Sequence, residues 1–534
     1  MSRTRHVGGN ITEITGGSHK IFAGTGIENS SMKQVVTVGK KGGVKHGKNK
    51  KAPKKEDKIS LALVEFRTLP TYTGEFGFDW LRIDDGALTP EPAYETILKN
   101  GYEAPNGKAP HRDNNTEYET PAEAFKALKK QYNKVAVKKV TPPDAEYFVP
   151  WLNIFPKPYS DSITTTPKPP CEAELKILIQ VDGPDEPDKI RVEFNKTYFE
   201  INGNDGTEAH PVLIADKTIG AKRKATDTLK IKCIAEFATA QEIKVYAYPK
   251  GSNGKTPAEL MGLKKLAGKI IVGANDATNR KVQKFVFVNV KTNIKGSSLT
   301  GSINASEKDN LQNALHQALI HGNFEDYFPK DSSGNILKDA RGNNINYMDL
   351  STNTNFLIQT SATGVKTYGK FIYEKNLIEP PTARRTDTTD GGLYEDYTGK
   401  QMFTYLHTQF LAQPGNAVKY ANHFTVFCFG DIPYDMVVFP GRGYSGTLGQ
   451  VEEIKKKNVF IFSIRNDFTL NHEGLHGLGL EHTHPGGTTT PSKKFIFDLY
   501  ETTNIMSYAD AAHPDNTKIT TWHWQWKIVK SNVR

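Results

Sequence analysis

Five residues near the C-terminus have types and spacings that can do chemistry together. His472, Glu473, His476, Gly479 and His482 fit the order H-E-x-x-H-x-x-G-x-x-H. Positions i and i+4 of a helix are neighbours on one face, so His472 and His476 can hold one ion between them. Glu473 falls about 100° further round the helix, close to that ion but badly aimed to ligate it. That placement suits a general base acting on water at the metal. Gly479 can take the left-handed conformation that ends a helix, so the chain turns and brings in His482 as a third ligand. Three imidazoles and an open fourth position for water are the catalytic rather than the structural arrangement of Zn2+. H-E-x-x-H alone arises by chance. The added glycine and third histidine bring a chance match in a chain of this composition below roughly one in a thousand. The alternative is an amphipathic core helix whose histidines are hydrogen-bonded and inert.

A second feature follows downstream, Thr503-Asn504-Ile505-Met506-Ser507-Tyr508. Behind the three histidines it resembles the Met-turn of the metzincin zinc metallopeptidases. The resemblance implies that Met506 is a buried floor under the metal site. It also implies that Tyr508, two positions on, reaches the metal as in astacin-like and serralysin-like enzymes. The residue after the third histidine is Thr483, a departure from the best-known branches, so the resemblance reaches the superfamily and no subfamily.

The elements that must position these residues occupy a chain of 534 residues, long enough for two to four domains. Cys171, Cys233 and Cys428 lie far apart and away from the histidines, which argues against a disulfide framework and leaves too few ligands for a cysteine zinc site. The first residues have no apolar signal-peptide core, and no stretch approaches the ~18 apolar residues of a membrane span. The net charge of +10 invites a nucleic-acid partner, but nine lysines between Lys40 and Lys58 against Glu56 and Asp57 supply most of it. Such a run reads as a solvated linker, so neither nucleic acid nor a membrane is expected as a partner.

Residues 1–47 are rich in Gly, Ser, Thr and Val, with short alternations such as Gln34-Val35-Val36-Thr37-Val38. They are too short to bury a core and should dock on something larger. Gly-Gly-Asn-Ile-Thr-Glu-Ile-Thr-Gly-Gly and Ala-Gly-Thr-Gly-Ile-Glu-Asn resemble leader segments of proteins linked to type VI and related contractile injection systems of bacteria. The resemblance implies delivery to a secretion-apparatus carrier. Residues 48–58 are the lysine-rich linker. Residues 59–156 read as a mixed α/β accessory domain with a helix from Pro121 behind Thr120, and 157–170 as a Pro/Thr linker. Residues 171–280 alternate with period two in repeated short strands, which predicts an immunoglobulin-like β-sandwich.

Residues 281–534 are expected to form an α+β metzincin-like catalytic domain. A strand over 284–290 precedes a helix capped by Ser306 with Asp309 at N3 and lined by Leu311, Leu315 and Leu319. His316 and His321, on or after it, are given surface or core roles. Residues 322–395 read as a loop-rich insertion, and 401–413 as a helix with Phe403, Leu406 and Phe410 on one face. The apolar runs 424–429 and 459–464 predict strands covered on both faces. Asp467 or Thr469 should cap the histidine helix, and Gly443–Gly449 should be the edge strand for an extended peptide. A last helix, capped by Thr520 or Thr521, should pack Trp522, Trp526 and Val529.

The sequence thus predicts a multidomain zinc endopeptidase with β-rich domains ahead of its catalytic domain. His472, His476 and His482 hold Zn2+, Glu473 is the base, and Tyr508 assists. Its substrate is a protein or peptide. Made in the cytoplasm, it is secreted or injected without a cleavable signal peptide, with an immunity or inhibitor protein as a possible partner. The rival is a structural or adhesive component of a secretion apparatus, its zinc domain idle or self-processing.

Overall fold

The computed structural model describes residues 58–83, 92–103, 117–138, 145–220, 224–374, 389–394, 401–435, 437–439, 443–485, 493–508 and 517–533. The chain divides into two compact units, Met1–Asp57 and Lys58–Arg534. The expectations for 1–47 and for all but Lys58 of the linker fall outside the described residues. All that follows concerns the second unit.

Its first layer is a pair of sheets around one core. Strands β1 (Ala62–Thr68), β2 (Gly77–Asp79), β3 (Trp151–Asn153), β4 (Glu172–Val181), β5 (Lys189–Glu193), β6 (Phe199–Ile201), β7 (Val212–Ile214), β8 (Lys224–Cys233), β9 (Gln241–Tyr248) and β10 (Lys265–Val272) build them. The sheet orders are β1-β4-β8-β6 and β2-β3-β10-β9-β5-β7. Alternation sends Leu175, Ile177 and Ile179 of one sheet and Ile243, Val245 and Ala247 of the other into the shared core.

The block 59–156 is not a body apart. β1 pairs antiparallel with β4 from Ala62↔Val181 to Thr68↔Leu175, and β3 pairs with both β2 and β10. The boundary expected at 157–170 therefore falls inside the sandwich. Period-two patterning marks which face of a strand is buried but not which strand it joins. Helices α1 (Tyr94–Tyr102) and α2 (Pro121–Lys129) of the same block pack beneath the C-terminus, with Phe495, Phe497, Trp522 and Trp524.

The second layer is a largely parallel sheet. At its centre β11 (Lys281–Thr292) pairs with β13 (Ile320–Asp326) and β14 (Tyr347–Asp349) on one side. On its other side runs β15 (Phe424–Phe429), followed by β17 (Asn458–Ile461), both parallel. β12 (Leu299–Thr300) and β16 (Gly449–Val451) are antiparallel additions, β16 on the free edge beside β17. Alternate residues of β11 face opposite ways. Phe285 and Phe287 meet α3 (Ala305–Gln317), α6 (Thr469–Gly477) and α7 (His523–Ser531). Val286, Val288 and Val290 share a core with Phe403, Leu406 and Phe410 of α4 (Gln401–Leu411) and Tyr420 of the short α5 (Asn416–Tyr420). The run 424–429 is a strand buried on two faces, as its composition predicts; the run 459–464 is strand only as far as Ile461, and Ser463 beyond it is exposed.

Helix starts differ from the sequence reading in detail. α3 begins two residues early, capped by Asn304 with Glu307 at N3 in a capping box, not by Ser306 with Asp309. Ser306 instead donates its hydroxyl to Asn304 Oδ1 and Asp467. Phe468 occupies the N-cap of α6 without a side-chain cap, so neither Asp467 nor Thr469 serves. Trp522 is the N-cap of α7, its N–H donated to Gln525 Oε1. Several residues of each type can satisfy a helix start, and tertiary partners choose among them.

The two layers are tied by buried hydrogen bonds. Gln317 Nε2 donates to the carbonyls of Gly74 and Ile519 at 2.9 and 2.7 Å, and its own carbonyl accepts from Asn153 Nδ2 at 2.8 Å. Asp79, paired with Arg82 at 3.0 Å, accepts the His523 N–H at the start of α7 at 2.9 Å. Trp151 stacks on the His523 ring at 4.0 Å. Among the described residues no helix is long and apolar enough to cross a membrane.

Candidate metal centre

His472 and His476 lie one turn apart on α6. The helix then ends at a left-handed glycine, Gly479 at φ +99°, as its position in the sequence predicts. The Gly479 N–H bonds the His476 carbonyl at 2.9 Å, and the Leu480 N–H reaches back to Leu475 O at 3.0 Å. That bond pair is the Schellman termination. It reverses the chain and returns His482 to the other two rings.

The three Nε2 atoms form a near-equilateral triangle. His472 and His482 are 3.0 Å apart, and His476 is 3.1 Å from each. Tetrahedral zinc with bonds of ~2.0–2.1 Å sets its nitrogen ligands about 3.3 Å apart, close to these separations. The other ring nitrogens fix the tautomers. His472 Nδ1 faces Ile505 O at 2.8 Å and His476 Nδ1 faces Leu480 O at 2.6 Å. A carbonyl only accepts, so both Nδ1 atoms carry the proton and both Nε2 lone pairs point inward. Burial holds the His472 pKa down to about 4 and those of His476 and His482 well below their usual value, with the neighbouring imidazoles adding to the effect for the latter two. A cation placed between the three rings would take these inward lone pairs as ligands. Among the described residues these three form the group able to hold one.

Glu473, the next residue on α6, is half-buried and lies against β16, with Gly449 close to its Cγ. Burial pushes its carboxyl up to about 8, with the nearby Val451 N–H opposing. A nearby dication works in the opposite direction and favours the carboxylate. Tyr508 is 45% exposed beside the triad, its ring centroid 5.0 Å from that of His482 and 5.9 Å from that of His472. Met506 is fully buried among Leu475, Leu478, Leu480 and Trp526.

The turn around Met506 works through its backbone. Ile505 O orients His472, and Met506 O accepts the Thr483 N–H beside His482 at 3.1 Å. Asn504 holds the turn: its Oδ1 takes the Met506 N–H at 2.9 Å, and its Nδ2 donates to Gln525 Oε1 of α7 at 2.8 Å. Asn504 and Gln525 are both fully buried. Sequence reasoning missed them, since a lone buried amide carries no spacing signal. It also missed His484, whose ring lies 4.8 Å from His482 and 4.4 Å from Tyr508 and whose Nδ1 donates to Pro485 O at 2.9 Å. The alternation His482-Thr483-His484 was its only trace.

The edge strand is displaced from its expected place. Gly443–Ser445 pairs with Val437–Phe439 in a separate hairpin, and Gly449–Val451 is the strand beside α6. His316 and His321 stay away from the triad in a buried cluster, where Gln312 Nε2 contacts His316 Nε2 at 2.9 Å and His321 Nδ1 at 2.6 Å.

No protein-family model, curated protein or solved structure matches the chain, so its functional reading rests on the geometry of its own residues.

Proposed function

We propose that the protein is a zinc-dependent endopeptidase of the metzincin type. The observation that carries this reading is the convergence of three imidazole Nε2 atoms within 3.1 Å of one another, two of them left without a proton by their Nδ1–carbonyl bonds, with a carboxylate on the same helix. Zinc bound there supplies Lewis acidity toward a scissile carbonyl and toward water. Glu473 takes a proton from the attacking water and hands it to the leaving amine. The Tyr508 hydroxyl, on the exposed side of the triad, donates to the oxyanion as it forms. Met506 and the carbonyls around it keep the ligand rings in register.

Strand β16 supplies a place for the substrate. Leu448 O accepts from Phe462, and the Glu452 N–H goes to Asn458 O. The even-numbered positions therefore face β17, which leaves the polar groups of Gly449 and the carbonyl of Val451 on the open edge. An extended peptide pairing there would lie beside Glu473. The same reading carries the delivery role of residues 1–47 as a proposal.

The test uses the full-length chain. It should hold about one zinc and cleave denatured casein, a chelator should abolish cleavage, and His476→Ala should remove most of the metal. Retention of zinc by His476→Ala, or cleavage that survives chelation, would overturn the reading. A protein that binds zinc but cuts nothing would favour the structural rival.

A further inference from the structure

Glycine at position 449 is not explained by its own backbone, which needs no left-handed angle: Gly449 is absent from the positive-φ residues. Its neighbours explain it. A Cβ built there would lie 2.9 Å from Glu473 Cγ, 2.9 Å from Thr469 Cγ2 and 3.1 Å from Ile461 Cδ1. Period two points Gly449 and Val451 toward the same face of β16, and Val451 packs there against the core that contains α6. Gly449 is thus the place where the first turn of α6 presses against the edge strand.

The Glu473 contact is the informative one. Cγ is the middle of that side chain, not a free end, and the carboxylate beyond it lies near the Val451 N–H two residues along the strand. A methyl group at 449 would occupy the path by which Glu473 reaches that N–H. Ile461 and Thr469 close the other sides of the space.

We propose that Gly449 is a positioning residue for Glu473: the missing side chain leaves the channel through which the carboxylate lies along the edge strand and takes the outward N–H of Val451. The proposal rests on Glu473 being the proton acceptor only for its catalytic consequence; the steric part stands on the geometry. It separates two jobs within one short strand. Val451 supplies the donor that aims the carboxylate, and Gly449 supplies the room.

Gly449→Ala tests this, with turnover and KM on fluorescent casein, zinc content, melting temperature and amide exchange measured together. The expected result is at least a tenfold loss of kcat with KM within about twofold, zinc near one per chain, and little change in melting temperature. Exchange at the Val451 amide should quicken about tenfold while that of Glu452, bonded to Asn458, stays as it was. Adding Thr469→Ser removes the competing methyl but leaves Glu473 crowded, so the double variant should stay impaired. Recovery in the double variant, wild-type kcat in Gly449→Ala, or parallel loss of zinc and melting temperature would overturn the proposal. If the wild type proves inactive the peptidase reading fails by itself, and Val451 exchange still decides the positioning: unchanged exchange refutes it. If Gly449→Ala does not fold, Gly449→Ala/Glu473→Ala decides, because truncating Glu473 clears the space. Folding should return, and continued misfolding would refute the role of Glu473.

Discussion

Glu473 and its histidine neighbours make separable contributions. Three Nε2 atoms meet at 3.0–3.1 Å, while Glu473 lies against β16 at Gly449 instead of joining them. Glu473→Gln keeps the shape but cannot accept a proton. It should retain about one zinc and a wild-type melting temperature while casein turnover falls on the order of 10²–10⁴-fold. Turnover near wild type in that variant would remove Glu473 from the mechanism. The hydrogen bonds behind the ligands matter for the same reason: Ile505 O and Leu480 O select the tautomer that leaves Nε2 free.

Element geometry decides whether the third ligand arrives. α6 contributes two histidines because they are four residues apart, but His482 depends on the turn at Gly479. A left-handed angle costs a residue with a Cβ about 1–2 kcal/mol. Here the Cβ would also sit 2.6 Å from Asn532 Nδ2. Gly479→Ala should therefore lower zinc affinity more than tenfold, read by competition with a chromogenic chelator, together with a lower melting temperature. Unchanged affinity would mean that His482 is held by the Thr483–Met506 bond and not by the helix end.

At the scale of the molecule, the sandwich and the sheet that carries the triad are interdependent. Trp522, Trp524, Phe495 and Phe497 are covered by Tyr94, Ile97 and Leu98. An isolated fragment 281–534 would expose that cluster and lose the Gln317–Gly74 and Asp79–His523 bonds. It should be insoluble or lack a cooperative melt, whereas a chain starting at Lys58 should melt in one step. Acid should loosen the same junction. His316, packed edge-on against Phe155 near the sandwich, has its pKa held down to about 3 by burial, with His321 adding to the effect. The unfolded chain binds this proton below its ordinary value of ~6.5 and the folded one does not, so stability falls as pH drops from about 6.5 toward 3. By pH 5 one such histidine costs about 2 kcal/mol. His316→Leu should narrow the difference in unfolding free energy, read from urea melts at pH 7.5 and pH 5, by about that amount; an unchanged difference would place the acid sensitivity elsewhere.

The triad residues, Gly479 and the buried runs 424–429 and 459–461 were legible in the chain because each is a local property. A spacing of four, a glycine at a helix end and an unbroken apolar run need only helix or strand geometry to be understood. Strands of the sandwich were legible in the same way, through alternation. Their partners were not: Ala62–Thr68 and Glu172–Val181 are separated by more than a hundred residues, and nothing in either pattern names the other. Tertiary structure alone also decided which residues cap α3 and α6, which strand forms the open edge, and what a side chain at position 449 would meet. Those depend on which atoms meet when distant segments pack, and a local period carries no record of that. Local chemistry thus wrote the triad into the sequence, whereas packing between segments brought buried Met506, the edge strand and Glu473 up to it.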